Sequence, residues 1–182
     1  MIALVDYGLG NIQAFVNIYR RLGIEIFPAR SATDLRRASR IILPGVGAFD
    51  WAMTCLQESG LREVLDEEVL GAKKPVLGVC VGMQMMARSS EEGLLPGLGW
   101  IDATVVKFDN RLLAGKINLP HMGWNVALPN KLSHLTAEVG DKPRYYFVHS
   151  YCVHVDDPAH SLMKTHYDID FDSAIGNNNI YG

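Results

Sequence analysis

The chain has 182 residues, of which 48% are hydrophobic and 20% charged, and its formal net charge is -3. This length and composition suit one well-buried globular domain and are short for two. No basic run offers a footprint for a nucleic-acid backbone, and the apolar stretch at the N-terminus is too short for a signal peptide or a membrane span. Cys55, Cys80 and Cys152 are too widely spaced for a disulfide framework or a paired-cysteine metal site. We therefore expect a single cytoplasmic domain that binds neither nucleic acid nor membrane.

The first half of the sequence alternates short apolar runs with helical patterns. Such alternation predicts right-handed crossovers and a parallel sheet covered by helices on both faces. Ligands of these sheets bind beyond the carboxyl ends of the strands. The spacing predicts strands at Ile2–Val5, Ile24–Phe27, Ile41–Leu43 and Val76–Val79, and helices at Ile12–Leu22, Ala48–Leu56 and Leu61–Leu70.

Beyond about Pro96 the pattern changes to short strand-like segments joined by Gly, Pro and Asn turns. These segments are expected to form an antiparallel or mixed region that continues the same core and is not a separate domain. They are Ala103–Phe108, Tyr145–Val148, Cys152–Val155, Ser161–Thr165 and Ser173–Ile175.

Cys80 lies between an apolar strand and a predicted helix, with Gly78 and Gly82 on either side. This pattern is typical of a nucleophile elbow, because glycine lets neighbouring segments approach a sharp turn closely. Free N–H groups at the start of the helix would favour the thiolate over the thiol. An ordinary buried cysteine is the alternative, but the paired glycines and the preceding strand favour a nucleophile.

The turn Pro44-Gly45-Val46-Gly47 follows another predicted strand. Glycine lets a peptide N–H face a substrate, so the turn is a candidate donor to the oxyanion of a tetrahedral intermediate. A phosphate cradle is less favoured because the turn lacks the Gly-Lys-Ser/Thr ending of a P-loop. A plain tight turn remains the third interpretation.

Aromatic and polar residues are dense in Lys116–Asn125 and Tyr145–Tyr151. Such density suits a small-molecule pocket with converging hydrogen-bonding groups. The alternatives are that Tyr145–Val148 is simply a core strand, and that His121, His149 and His154 are structural residues with satisfied hydrogen bonds.

These motifs together resemble the class I glutamine amidotransferases, and among them the glutaminase subunits of histidine biosynthesis. The resemblance covers nearly the whole chain in the right order. It implies an α/β fold with a central, mostly parallel sheet flanked by helices and a smaller mixed or antiparallel β region. The segments that carry it are Asp6–Asn11, Leu43–Phe49, Gly78–Gln84, Pro120–Asn125 and Tyr146–Tyr151.

The resemblance also implies roles for individual residues. A thiolate at Cys80 would attack the side-chain amide of glutamine, release ammonia and form a glutamyl thioester that water hydrolyses. The N–H of Val81 and a peptide N–H within Gly45, Val46 and Gly47 would stabilise the oxyanion, after reorientation of the glycine-rich strand. The positions that resemble the family's glutamine-binding residues are Gln84, His149, Ser150 and Tyr151.

The family passes its ammonia to a cyclase subunit with a (β/α)8 barrel, so the resemblance implies a heterodimer that needs neither a cofactor nor a metal. Asn11 and Trp124 correspond to the subunit interface. Two alternatives stay open. One is a related amidotransferase that supplies ammonia to a nucleotide-linked or surface-polysaccharide sugar, and the other is a non-catalytic docking subunit.

The family completes its catalytic triad with a histidine and a glutamate that follow a segment like Asn179–Gly182, and neither is among the 182 residues. Residues 1–182 are therefore expected to be a single amidotransferase domain without its C-terminal tail. His149, His154 and His166 are the residues that could replace the base, but the order of the motifs gives none of them that position. We favour the missing tail.

Overall fold

A computed structural model describes residues 1–108 and 118–182. A π-helical turn at Glu67–Gly71 follows α4, and a 3-10 turn at Pro158–His160 precedes β11. The helices are α1 (Ile12–Arg21), α2 (Ala32–Arg37), α3 (Phe49–Glu58), α4 (Arg62–Asp66) and α5 (Val81–Gln84). The strands are β1 (Ile2–Val5), β2 (Ile26–Ala29), β3 (Arg40–Gly45), β4 (Val76–Cys80), β5 (Ser89–Ser90), β6 (Ala103–Lys107), β7 (His121–Val126), β8 (Leu128–Pro129), β9 (Arg144–His149), β10 (Tyr151–Val155), β11 (Ser161–Tyr167), β12 (Ile169–Asn177) and β13 (Ile180–Tyr181).

One large sheet runs through the molecule in the order β2-β1-β3-β4-β13-β12-β10-β6-β5. The first five strands of this order are parallel to one another, whereas β12, β10 and β6 continue the sheet with antiparallel pairing. Strand β11 pairs with β12 and β8, and β7 and β9 form a separate antiparallel two-stranded sheet. The predicted fold class, a parallel sheet continued by an antiparallel or mixed region, is confirmed.

The main core lies on the face of the parallel strands that packs against α3, α4 and α5. Alternate residues of the strands contribute to it, as period-two side-chain alternation requires. On α3, buried apolar residues recur at spacings of three and four and supply the other side of the core, whereas the apolar stripe predicted for α1 has no buried residue. Its fully buried members include Ala3, Val5, Ile41, Leu43, Phe49, Leu56, Leu65 and Met85.

Several element boundaries differ from those predicted. β2 begins two residues later than expected and includes Pro28, which is tolerated because β2 is the edge strand of the sheet. α2 has only six residues, too few for a helical period to be visible, and Ser31 caps it through the N–H of Asp34. Pro44 and Gly45 belong to β3, so the glycine-rich turn begins at Val46.

The carboxyl end of β3 lies against the backbone of α5. Gly45 is opposite Cys80 in the register of β3 and β4. A Cβ atom on Gly45 would lie 2.3 Å from the nitrogen of Gly82, and one on Gly82 would lie 2.0 Å from the carbonyl oxygen of Leu43. The two segments can therefore touch only because both positions are glycine.

Gly82→Ala should therefore destabilise the fold, since the added methyl group overlaps a backbone carbonyl that no rotamer change can move. We expect a loss of about 3 kcal/mol in the free energy of unfolding, measured by urea denaturation. Gly71→Ala is the matched control, because a Cβ there meets nothing within 4 Å. Equal stability of the two variants would contradict the close contact.

Candidate active site

Cys80 forms a sharp turn between β4 and α5. Its backbone φ of 58° and ψ of -121° are uncommon for a residue with a side chain, and conformations of this kind concentrate at functional sites. The residue is exposed to solvent. The strand-to-helix elbow predicted from the flanking glycines is thus present in the structure.

The pKa of the Cys80 thiol is raised, mainly because the surrounding protein displaces water, and Glu92 raises it further. A hydrogen bond from the N–H of Val81 lowers the pKa but does not offset the desolvation. The direction is opposite to the one expected from the helix start. α5 is a single turn of four residues, so its dipole is small, and the neutral thiol is favoured.

Cys80 opens into a cavity of about 410 Å³ that brings together three of the four predicted glutamine-binding residues. Gln84, His149 and Tyr151 line it, and the side-chain amide of Gln84 donates to the carbonyl of Tyr151 at 3.3 Å. Ser150 does not line this cavity and is half-buried, and its carbonyl accepts the N–H of Phe108 at 3.2 Å.

The predicted oxyanion turn faces a neighbouring cavity of about 510 Å³. Gly45, Val46 and Asn11 line this cavity, and Val79 lines both cavities. Gly47 is exposed and has a φ of 87°, a left-handed conformation that favours glycine. The side chain of Asn11 accepts the N–H of Ala14 and so caps α1.

Trp124 lies on the outward face of the β7–β9 sheet. Its ring contacts that of Tyr146 edge-on, with 5.8 Å between the ring centres. This outward apolar face consists of Met122, Trp124, Tyr146 and Val148, with exposed fractions of 60%, 63%, 56% and 53%. Asn11 and Trp124 lie on different elements, Asn11 on the loop before α1 and Trp124 on this sheet.

The inward face of the same sheet holds two histidines in contact, which the sequence analysis considered only as separate residues. His121 Nδ1 lies 2.9 Å from His149 Nε2, and His149 Nδ1 lies 2.9 Å from the carbonyl oxygen of Tyr151. Burial lowers the pKa of His149 and that of His121, the latter to about 4 with a smaller effect of the neighbouring His149. Only the pairing of β7 with β9, which places the two residues opposite each other, connects them.

The other histidines proposed as replacements for the base do not line the Cys80 cavity. His154 is exposed, and exposed His166 pairs with Asp170 at 2.7 Å. Sequence reasoning missed Glu92, a half-buried carboxylate that influences the Cys80 thiol and accepts the N–H of Phe49 at 3.0 Å. The Glu91-Glu92 pair shortly after the elbow is the signal that could have indicated it.

Within residues 1–108 and 118–182, no helix has the length and apolar character needed to cross a membrane. The same ranges contain no cluster of three or more histidine, cysteine or carboxylate side chains arranged to hold a metal ion.

The family profile described as "Glutamine amidotransferase class-I" matches residues 3–182. A crystal structure of a glutamine amidotransferase superposes with a TM-score of 0.74 at 16% identity, covering 99% of this chain and 86% of that one. A glutamine amidotransferase from Thermotoga maritima gives a TM-score of 0.68 at 16% identity, covering 100% of this chain and 73% of that one. The sheet, the cysteine elbow and the profile match define the class as that of the class I glutamine amidotransferases.

Closer relatives are subunits of one particular enzyme. "Imidazole glycerol phosphate synthase subunit HisH" of Bdellovibrio bacteriovorus is 51% identical over 182 residues, which is 100% of this chain and 89% of the relative. "Imidazole glycerol phosphate synthase subunit HisH 2" of Pseudomonas aeruginosa is 42% identical with the same coverage. The chain belongs to this HisH family of class I glutamine amidotransferases, and the predicted family is thereby confirmed.

Alkylation should distinguish the three cysteines. Cys80 is exposed, Cys55 is partly buried, and burial raises the pKa of Cys152 to about 12. We expect a neutral alkylating reagent to label Cys80 first and Cys152 last, as measured by peptide mapping. Because the pKa of Cys80 is raised above its usual value, the labelling rate should keep increasing with pH above about 9. Faster labelling of Cys55 or Cys152 would rule out Cys80 as the most reactive thiol.

Proposed function

We propose that the chain is the glutaminase subunit of imidazole glycerol phosphate synthase and that Cys80 is its nucleophile. The sulfur attacks the side-chain amide carbon of glutamine, the amide nitrogen leaves as ammonia, and a glutamyl thioester remains. Water then cleaves the thioester, which releases glutamate and restores the thiol. The observation that carries the proposal is the exposed elbow cysteine at the carboxyl end of a central parallel strand, in a member of the HisH family.

We propose that two backbone segments stabilise the oxyanion of the tetrahedral intermediate. The N–H of Val81 already bonds to the Cys80 sulfur, so it lies within reach of an atom bonded to that sulfur. Gly45 is the register partner of Cys80, and Val46 and Gly47 continue from it into an exposed turn. A peptide N–H from this turn is the second proposed donor.

Glutamine has a charged α-amino and α-carboxylate group that the site must hold. Gln84, His149 and Tyr151 surround the cavity and supply hydrogen-bonding groups, and Ser150 lies between the last two. We propose that the carboxylate of Glu92 binds the α-ammonium group of glutamine, because its negative charge is close enough to raise the pKa of the Cys80 thiol. A bound cation at Glu92 would also remove part of the charge that opposes thiolate formation.

Proton transfer requires a base that the described residues do not supply next to Cys80. The register of β13 on β4 pairs Ile180 with Val76 and Tyr181 with Leu77, so the second residue after Gly182 would lie beside Cys80. Gly182 lines the Cys80 cavity, so a continuation of β13 would start at the cavity wall. Among the described residues, two polar atoms of the residues that line the cavity are buried without a hydrogen-bond partner, namely Asp172 Oδ1, which lies 3.9 Å from Lys164 Nζ, and Ser173 Oγ.

We therefore propose that the native product continues β13 along the wall of this cavity and brings a histidine and a glutamate to Cys80. The matched relatives contain residues beyond the aligned region, since the alignment covers 89% of their length. We also propose that the reaction takes place in the cytoplasm, which the three free cysteines support because a reducing compartment keeps thiols reduced.

The native gene product, assayed with its cyclase partner, should hydrolyse glutamine, and Cys80→Ser should abolish turnover without changing the fold. A version ending at Gly182 should lose at least about a hundredfold in rate, because the general base is missing, while Cys80 still reacts with alkylating reagents. Intact-mass measurement of the native product tests the continuation itself. Full glutaminase activity in a product of 182 residues would show that the base lies within them.

The outward apolar face is the proposed docking site of the (β/α)8 cyclase, with Asn11 at the edge of the same interface. Trp124→Ala should weaken the complex about tenfold or more, because a large exposed aromatic ring is removed from the centre of the face. Trp51→Ala is the matched control, since Trp51 is 56% exposed but lies on α3. Calorimetric titration measures both, and equal affinities would place the interface elsewhere.

A further inference from the structure

The β7–β9 sheet presents two chemically different faces. Met122 and Trp124 point outward, whereas His121 and Asn125, at alternate positions of the same strand, point inward. On β9, Val148 points outward and His149 inward. A rigid two-stranded sheet therefore joins the outward apolar face directly to a layer of polar groups beneath it.

Hydrogen bonding assigns the tautomers of the inward histidines. The carbonyl of Tyr151 can only accept, so His149 Nδ1 carries the proton and its Nε2 accepts. His121 Nδ1 must then donate to His149 Nε2 across 2.9 Å. His121 Nε2 is left as an acceptor, and the amide of Asn125 donates to it at 3.3 Å. Both imidazoles are neutral in this arrangement, and each donor meets an acceptor.

This series of hydrogen bonds ends at the helix that follows the nucleophile. The carbonyl of Tyr151 accepts from His149 Nδ1 and also from the side-chain amide of Gln84. Gln84 lies one turn beyond Cys80 in α5. The Tyr151 carbonyl thus uses both of its lone pairs, one toward the histidine pair and one toward the nucleophile helix.

His121 is held too firmly to exchange with solvent or substrate. Its ring lies between Tyr167, at 3.9 Å between ring centres and 27° between planes, and Phe147, at 4.7 Å and 20°. The residue is only 2% exposed and does not line the Cys80 cavity. Its ring contacts three residues that line the cavity, Phe147, Phe171 and His149, and of these only His149 shares a hydrogen bond with it.

We propose that His121 is a positioning residue of the glutaminase site: its Nδ1–H donates to His149 Nε2 and so holds the His149 ring, the Tyr151 carbonyl and Gln84 in place for glutamine binding. This inference rests on the proposed glutaminase function. Without the donor at His121, His149 Nε2 is an acceptor without a partner, and the ring gains by turning Nε2 toward water. That rotation draws His149 Nδ1–H away from the Tyr151 carbonyl, which then no longer holds Gln84 in a fixed position.

The test compares two substitutions of one residue in the native gene product bound to its cyclase partner. His121→Phe keeps a flat ring between Tyr167 and Phe147 but removes the donor, and it should raise KM for glutamine about tenfold with a smaller change in kcat. His121→Asn can place its amide N–H where ring Nδ1 was, and it should recover most of this loss. His154→Asn, on the exposed face of β10, is the control and should leave both constants unchanged.

A second measurement does not depend on catalysis. Long-range proton–nitrogen NMR of the histidine side chains, recorded on the chain alone, should show both rings neutral and protonated on Nδ1. In His121→Phe the nitrogen shift of His149 Nε2 should change, because this acceptor loses its donor. An Nε2–H tautomer of His149 in the unsubstituted chain overturns the proposal, as does an unchanged KM together with unchanged His149 signals in His121→Phe.

The two proposals fail in different ways. If Cys80→Ser still hydrolyses glutamine, the proposed nucleophile is wrong, while the NMR result continues to decide the tautomers. If His121→Phe does not fold, two measurements still decide the inference. The NMR spectrum of the unsubstituted chain tests the tautomers. The KM of His121→Asn tests the hydrogen bond, because a KM raised about tenfold in this donor-retaining variant would overturn the inference.

Discussion

The contact between the backbone of β3 and that of α5 is the constraint on which the site depends. A side chain at either Gly45 or Gly82 would overlap backbone atoms of the other segment. Tyr7, just beyond β1, fastens this junction, because its buried hydroxyl donates to the Pro44 carbonyl at 2.8 Å and lies 3.6 Å from the sulfur of Met85. Burial raises the pKa of Tyr7, so the hydroxyl keeps its proton and remains a donor. Three consecutive strands of the sheet thus hold the elbow in a conformation that an isolated peptide would not adopt.

The parallel sheet is covered unequally within the described residues. The core side buries whole side chains from α3, α4 and α5, whereas α1, on the other side, has no buried residue. A shallow apolar groove of about 220 Å³ runs beside α1, and Ile42, Leu77 and Tyr181 line it. This groove and the Cys80 cavity both reach the end of β13. A continuation of the chain could therefore gain burial energy and bring catalytic groups to the site at the same time, which supports the proposed tail on grounds of stability as well as chemistry.

The sequence predicted the parts of the fold that depend on local pattern. β1, α1, β3 and α3 follow from runs and spacings that each lie within about ten residues, and the elbow at Cys80 follows from its two glycines. β7 was not predicted as a strand, because Gly123 interrupts its alternation of inward and outward side chains and its partner β9 lies far along the chain. The direction of the Cys80 pKa shift was also unpredictable from sequence, because it depends on how much protein surrounds the thiol, not on the helix that follows it.

Neutral histidines are well suited to hold a geometry, because their tautomers are fixed only while no extra proton is present. A pKa of His121 lowered to about 4, against about 6.5 in an unfolded chain, keeps the ring neutral at physiological pH. As the pH falls below about 6.5, His121 takes up a proton in the unfolded chain before it does so in the folded chain. The stability that the neutral ring contributes is therefore complete above about pH 6.5, and it is lost progressively as the pH falls toward 4, at about 1.4 kcal/mol per pH unit.

A second N–H on either ring would place two donors against each other between His121 and His149, or against Asn125. The stacked rings of Tyr167 and Phe147 cover the imidazole of His121, which is only 2% exposed, so an extra N–H there would have little access to water as an acceptor. The same burial that makes the pair costly to protonate therefore makes it a rigid link between the outward apolar face and Gln84.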